Sequence, residues 1–452
     1  MAEEAVEEKP ANLVEAVSEL LESGTVQQAR RMLNALHPAE IAHLLESFPA
    51  AERKLLWELV DEENDGEVLL HVNDEVRSGL IEEMDDEELL AATSGMDMDD
   101  LADFLQDLPA TLTGEVLRSM DKQNRQRLES VLSYPEDSAG GLMNTDTVTV
   151  RPDVSLDVVL RYLRMRGEMP EFTDKLFVVS RFDRFLGVLR VSDLLTREPD
   201  RTVAEILDRD FEPIAADTPA VDVAKTFEDR DLISAPVLDG EGRLVGRITI
   251  DDVVDVIRDE AERSIMNMAG LAEEEDLFAP VWSSARRRAL WLGINLLTAF
   301  LAAYVIGLFE ATIQQVVALA VLMPIVASMG GIAGTQTLTL VIRAIALGQV
   351  ATRNARALLL KELRVGALNG VLWALVVGGV ASLWFGRPAI GVIIATAMVI
   401  NLACAALSGV VVPLSMKRLG IDPALAGGVV LTTVTDVVGF LAFLGLATLF
   451  LL

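Results

Sequence analysis

The sequence predicts a multidomain membrane protein: an all-α helical-repeat domain, an α/β module made of one pattern used twice, and five transmembrane helices. Three observations carry that expectation. Charge divides the chain, because residues 1–280 hold 27 basic and 65 acidic side chains whereas residues 281–452 hold 11 and 4. Five apolar runs follow one another in the second stretch, and two distinct internal repeats occupy the first. The divisions expected are 1–133 for the helical domain, 134–258 for the duplicated module, 259–285 for a connecting helix and 286–452 for the membrane domain.

Crossing the hydrocarbon takes roughly 20 apolar residues in a helix. Ala289–Phe309, Ala311–Ile342, Val365–Gly386, Pro388–Met416 and Pro423–Leu452 all qualify. Arg286, Arg287 and Arg288 precede the first run, Arg343, Arg353, Arg356, Lys361 and Arg364 separate the second from the third, and Lys417 and Arg418 the fourth from the fifth. The alternate loops hold only Arg387, so the basic-side rule places the N-terminus in the cytosol and the C-terminus outside. The first residues, Met1-Ala-Glu-Glu, carry no basic n-region or apolar h-region, and residues 1–280 are expected to stay cytosolic.

In residues 12–133 apolar positions recur at three and four, the helical period. Leu36-His-Pro-Ala-Glu-Ile-Ala-His-Leu-Leu-Glu-Ser-Phe-Pro49 resembles Met96-Asp-Met-Asp-Asp-Leu-Ala-Asp-Phe-Leu-Gln-Asp-Leu-Pro109, which points to stacked helical units covering each other's apolar faces. In the second repeat, Leu186-Gly-Val-Leu-Arg-Val-Ser-Asp-Leu-Leu195 corresponds to Val245-Gly-Arg-Ile-Thr-Ile-Asp-Asp-Val-Val254, each preceded by a β-rich stretch and a turn. This strand–turn–strand–helix unit resembles a pair of cystathionine-β-synthase (CBS) domains, which implies an adenine-nucleotide site, with ATP as its candidate ligand. The pattern's Gly, hydroxyl residue and Asp fall on Gly246, Thr249 and Asp252 in the second copy. The first copy has Gly187 and Asp193 but Arg190 in the hydroxyl position. Helix capping by the same carboxylates is the competing reading.

A carboxylate at mid-membrane costs about 2.5–3.5 kcal/mol on insertion scales and marks a functional position. Asp436 is the one acid inside a run, and Thr432, Thr433 and Thr435 flank it. In the second run Pro324 and Gly330-Gly-Ile-Ala-Gly-Thr-Gln-Thr337 predict a broken or thinned helix, lining a cavity or packed by protein. Oxygen ligands without nearby His suit a hard divalent cation, and two chains about a twofold axis would present two carboxylates. The lone Cys404 allows no disulfide within the chain. No nucleophile–base pair is visible, so no enzymatic activity is expected, and the acidity of residues 1–280 argues against nucleic acid.

The order of these parts resembles the MgtE family of magnesium channels. So do Tyr134-Pro-Glu-Asp-Ser-Ala-Gly-Gly-Leu-Met143, Val253-Val-Asp-Val-Ile257, the Gly-rich second run and Asp422-Pro-Ala-Leu425. The resemblance implies a homodimeric Mg²⁺ channel of the bacterial cytoplasmic membrane, in contact with lipid and needing no other protein, closed when cytosolic Mg²⁺ binds between its soluble domains. It puts the pore ion on Asp436 and the Thr432 carbonyl, with Glu310 near the entrance. It puts regulatory Mg²⁺ on Glu67, Asp99, Asp103, Glu228 (through its backbone), Asp231, Asp252, Asp255, Glu260 and Asp422. The chain departs from the family's Gly-Gly-Asn at Ile332. A carrier of a broader set of divalent cations, and a membrane-anchored nucleotide sensor, are the alternatives. The acidity has a competing explanation too: with five Lys against 22 Arg in residues 1–280, it also matches adaptation to high salt.

Overall fold

The computed structural model describes residues 10–93, 96, 98–108, 110–271, 276–350 and 353–452. Residues 1–9, Glu273–Glu275 of the acidic connector run, and Asp97 and Pro109 of the helical repeat lie outside these. The chain forms two compact units, Met1–Ala261 with Glu274–Ala279, and Glu262–Glu273 with Pro280–Leu452.

The first unit begins with short helices: α1 (Pro10–Glu22), α2 (Val26–Leu33), α3 (Pro38–Glu46), α4 (Ala50–Trp57) and α5 (Asp65–His71). They continue as α6 (Asp74–Ile81), α7 (Asp86–Ala92), α8 (Met98–Asp107), α9 (Ala110–Ser119) and α10 (Lys122–Val131). Local signals set where they start. His37 and Glu40 close a capping box on α3, and Asp85 and Glu88 close another on α7. The apolar positions of the helical repeat are buried in both copies, Ile41 with Leu101, Leu45 with Leu105 and Phe48 with Leu108.

The duplicated pattern folds as two equivalent halves. The first comprises β1 (Thr149–Val150), α11 (Leu156–Arg166), β2 (Lys175–Val179), β3 (Phe185–Arg190), α12 (Val191–Thr196) and α13 (Val203–Ile206). The second comprises β4 (Ile214–Ala215), α14 (Ala220–Arg230), β5 (Ser234–Leu238), β6 (Leu244–Thr249) and α15 (Ile250–Ala269). In each sheet the order follows the chain, the first pair parallel and the second antiparallel, with register shifts at matching places, Val178/Val179 and Val237/Leu238. Gly187 and Gly246 occupy equivalent register positions opposite Val178 and Val237. A Cβ on Gly187 would collide with the Asp208 carbonyl, and one on Gly246 with the Met143 side chain. Close packing is thus sufficient reason for the glycine of the nucleotide pattern.

The second unit holds five helices long and apolar enough to cross a membrane: α16 (Val281–Gly307), α18 (Ala318–Ala346), α19 (Ala355–Phe385), α20 (Pro388–Arg418) and α21 (Pro423–Leu451), with short α17 (Glu310–Gln315) between the first two. Three expectations need correction. The second span starts at Ala318 rather than Ala311, because the stretch ahead of it, with Gln314 and Gln315, folds as α17. The connector is not one helix over 259–285: α15 ends at Ala269, Gly270 turns the chain at φ 70°, and α16 begins at Val281. Finally, α18 is continuous through Pro324 and the glycines.

Those glycines let neighbours approach. Gly330 faces Asn401 of α20, Gly334 faces Leu431 of α21, and Gly409 of α20 receives Thr337 of α18. On α19, Gly366, Gly370, Ala374 and Gly378 recur every fourth residue and are buried, with the glycines lying against α20. Lipid offers no hydrophobic drive for helix association, so close packing on small residues has to supply it. A Cβ at Gly378 would sit 2.8 Å from the Gly391 carbonyl oxygen, whereas one at Gly379 meets nothing within 4 Å. Gly378→Val is therefore expected to lower stability in detergent by about 1–3 kcal/mol, and Gly379→Val to leave it unchanged, as read from thermal unfolding.

Candidate functional site

Helix α21 carries the pathway candidates along its length. Asp422 caps its start, with Oδ1 accepting from the Ala424 N–H (2.9 Å) and Oδ2 from Asn267 Nδ2 at the end of α15 (3.0 Å). About four turns on, Asp436 is half-exposed, and among the described residues its carboxylate takes no hydrogen bond and no ion pair. Thr432, one turn earlier on the same face, donates its hydroxyl proton to the carbonyls of Gly428 (3.0 Å) and Val429 (3.1 Å). Thr433 donates to Val429 (2.7 Å), and the buried Thr435 to the Thr432 carbonyl (3.0 Å). The hydroxyl protons are thus spent on backbone, which leaves hydroxyl lone pairs as acceptors. The Thr432 carbonyl, assigned to the ion from sequence, is engaged by Thr435 here, so its hydroxyl oxygen is the acceptor left on the Asp436 face.

Asn401 packs beside this face and was not anticipated. It is fully buried between Gly330 and Gly439, three residues beyond Asp436, and Nδ2 donates to the Val326 carbonyl (2.8 Å) while Oδ1 has no partner among the described residues. A lone amide inside an apolar span was a usable signal in the sequence. Glu362 was also missed. Helix α19 begins at Ala355, so this acid is buried within it, paired with Lys361 (2.6 Å) and accepting from Thr337 of α18 (3.3 Å). Glu310 opens α17 and accepts from Gln314 (3.0 Å).

The regulatory candidates fall in separate pairs. Asp99, buried on α8, accepts from Asn144 Nδ2 (3.2 Å), and Asp103 lies one turn further along the same helix. Asp252 at the start of α15 accepts from Thr249 Oγ1 (3.1 Å), a capping contact. Burial, with repulsion from Asp251 and Asp100, pushes its pKa up to about 7. Asp255, one turn on, is raised chiefly by burial and opposed by Arg258 (3.5 Å). Its charge and that of Glu67 both act on His71, whose pKa burial holds below the usual imidazole value. Glu228 and Asp231 stand exposed at the end of α14, Asp231 in the left-handed region at φ 50°. Glu260 is half-buried on α15. Asp193, the nucleotide candidate, is paired with Arg197 (3.1 Å). Among the described residues no three His, Cys, Asp or Glu side chains gather closely enough to hold a metal ion.

The family described as divalent cation transporter, MgtE, matches residues 323–446; the MgtE intracellular N domain matches 36–137, and CBS domains match 139–200 and 203–259. The magnesium transporter MgtE of Thermus thermophilus is 34% identical over 97% of this chain and 98% of its own length. The chain belongs to the MgtE family. The magnesium transporter MgtE of Bacillus subtilis is 26% identical over 96% of each chain. Among solved structures, the cytosolic domain of the Mg²⁺ channel MgtE in complex with ATP is 32% identical, covers 54% of this chain and 99% of its own, and has a TM-score of 0.48. With five spanning helices, this MgtE chain is a multi-pass membrane protein.

Because the fold favours protonated Asp252, the folded chain binds more protons than the unfolded one between about pH 4 and pH 7. That contribution is complete below pH 4 and is lost as pH rises through 7. Without divalent cations, the melting temperature of the cytoplasmic transition is expected to fall from pH 5 to pH 8, with Asp65 and Asp255, also raised, contributing beside Asp252, and Asp252→Asn is expected to make the fall shallower. Identical pH slopes in the two proteins would refute this assignment.

Proposed function

We propose that this chain is a homodimeric Mg²⁺ channel of the cytoplasmic membrane, closed when cytosolic Mg²⁺ binds among its soluble acids. One observation carries the reading: a partly exposed carboxylate, Asp436, with no hydrogen bond or ion pair among the described residues, in an otherwise apolar helix with Thr432 one turn away. Such a group is costly in the membrane unless cations or water serve it. Mg²⁺ sheds its waters reluctantly, so carboxylate and hydroxyl oxygens that grip the hydrated ion suit it better than a closed protein cage. A second copy across a twofold axis would supply a second Asp436 and match the ion's charge. The relatives described as magnesium transporters, similar along nearly the whole length, support the choice of ion. The asymmetry of Lys and Arg among the loops supports a cytosolic N-terminus.

Gating follows from electrostatics. Asp252 is raised to about 7 partly because Asp100 and Asp251 crowd it, and a divalent ion between such carboxylates replaces repulsion with attraction. High cytosolic Mg²⁺ then holds Asp99, Asp103 and Asp252, and Glu67 and Asp255, in their compact arrangement. Glu228, Asp231, Glu260 and Asp422 are the remaining regulatory ligands in this reading. An adenine nucleotide at the first CBS half would compete with Arg197 for Asp193.

Asp436→Ala is expected to reduce Mg²⁺ uptake into proteoliposomes to that of protein-free vesicles while the protein elutes as the wild type does. Undiminished flux would remove Asp436 from the pathway. Limited proteolysis tests the sensor separately: millimolar Mg²⁺ should protect the connector near Glu273, and Na⁺ of equal ionic strength should not. Equal protection by both salts would favour salt adaptation as the reason for the acidity.

A further inference from the structure

Residues 276–279, just ahead of the first span, belong to the first unit, and the contact that holds them there is ionic. Arg53 of α4 is 6% exposed and Asp276 is 7% exposed. Their charged groups meet in a two-pronged pair, Nη1 to Oδ2 and Nη2 to Oδ1, both 2.9 Å. Arg53 also donates to the carbonyls of Leu45 (2.8 Å), in the last turn of α3, and of Phe48 (3.1 Å) just after it, which fixes the fork in position. Asp276 is held as firmly, its N–H donating to Glu75 Oε2 (2.8 Å) and its Oδ1 accepting from the Phe278 N–H (3.0 Å). The segment's apolar side chains do not provide the attachment, since Leu277 is 83% exposed and Phe278 38%. The chain then closes a turn from the Ala279 N–H to the Asp276 carbonyl (3.0 Å) and enters α16 at once, with Pro280 as its cap.

We propose that Arg53 and Asp276 form a strap tying the helical domain to the first membrane span, so that movement of that domain reaches α16 without passing through the CBS pair and α15. The proposal rests on the Mg²⁺-gated reading and adds to it a second path of coupling. A covalent run of a few residues containing a proline transmits displacement, because it has little slack to absorb it. A buried two-pronged pair gives the anchor direction as well as strength.

The test measures Mg²⁺ flux through the full chain in proteoliposomes against Mg²⁺ on the cytoplasmic side. Inserting Gly-Ser-Gly between Ala279 and Pro280 leaves the ion pair intact and adds slack. It is expected to raise the Mg²⁺ concentration that half-closes the pathway by about fivefold or more without changing maximal flux. Arg53→Met should do the same. If Arg53→Met fails to fold, the insertion decides alone. A wild type that closes with Mg²⁺ and an insertion variant that closes identically would overturn the strap only. A wild type indifferent to cytoplasmic Mg²⁺ would overturn both the strap and the gating reading.

Discussion

Holding a carboxylate inside an apolar helix, with no countercharge among the described residues, sets the terms for the rest of this molecule. Asp436 costs about 2.5–3.5 kcal/mol on insertion scales, and its helix has to be fixed well enough to withstand that. The bundle does so by close approach. Gly331 and Gly334 of α18 admit Thr432 and Leu431 of α21, and Gly427 of α21 lies against Leu338. Asn401 wedges from α20 between Gly330 and Gly439, so its amide registers three helices in the stretch where the acid lies. The same residues that allow tight packing therefore position the helix that carries Asp436.

The acids of residues 1–280 sit under the opposite condition, since many of them are exposed to water. Charge matters most there where burial concentrates it, as at Asp252. Exposed Glu228 and Asp231 gain little by themselves and need a partner surface or an ion to matter. Helix α21 is also tied locally, because Asn267 near the end of α15 reaches its Asp422 cap. A divalent ion at Asp422 would have to share or displace that amide, which makes this short hydrogen bond a natural point of competition.

Five spans were legible because about 20 consecutive apolar residues have no other economical structure, and the CBS halves because their strand–turn–strand–helix pattern repeats with its glycine in register. Asp436 was legible by its isolation. Residues 311–317, read as the front of the second span despite Gln314 and Gln315, hold the break that forms α17, since average hydropathy does not report where a helix turns. Pro324 and the glycines pointed to a broken span; neighbouring helices settle that question, and their faces are not local information. Arg53 and Asp276 stand 223 positions apart, beyond the reach of any periodicity. Asn401 was visible as a polar residue in an apolar run, but only its place between two glycines gives it a role.

Recording from the full chain in planar bilayers, with Mg²⁺ as the only permeant cation and its concentration varied on the cytoplasmic face, tests the central claim most directly. The account predicts unitary Mg²⁺ currents that persist at low cytoplasmic Mg²⁺, are shut by millimolar Mg²⁺, and vanish in Asp436→Ala. Transport without unitary currents, or currents that ignore both cytoplasmic Mg²⁺ and the loss of Asp436, would contradict it.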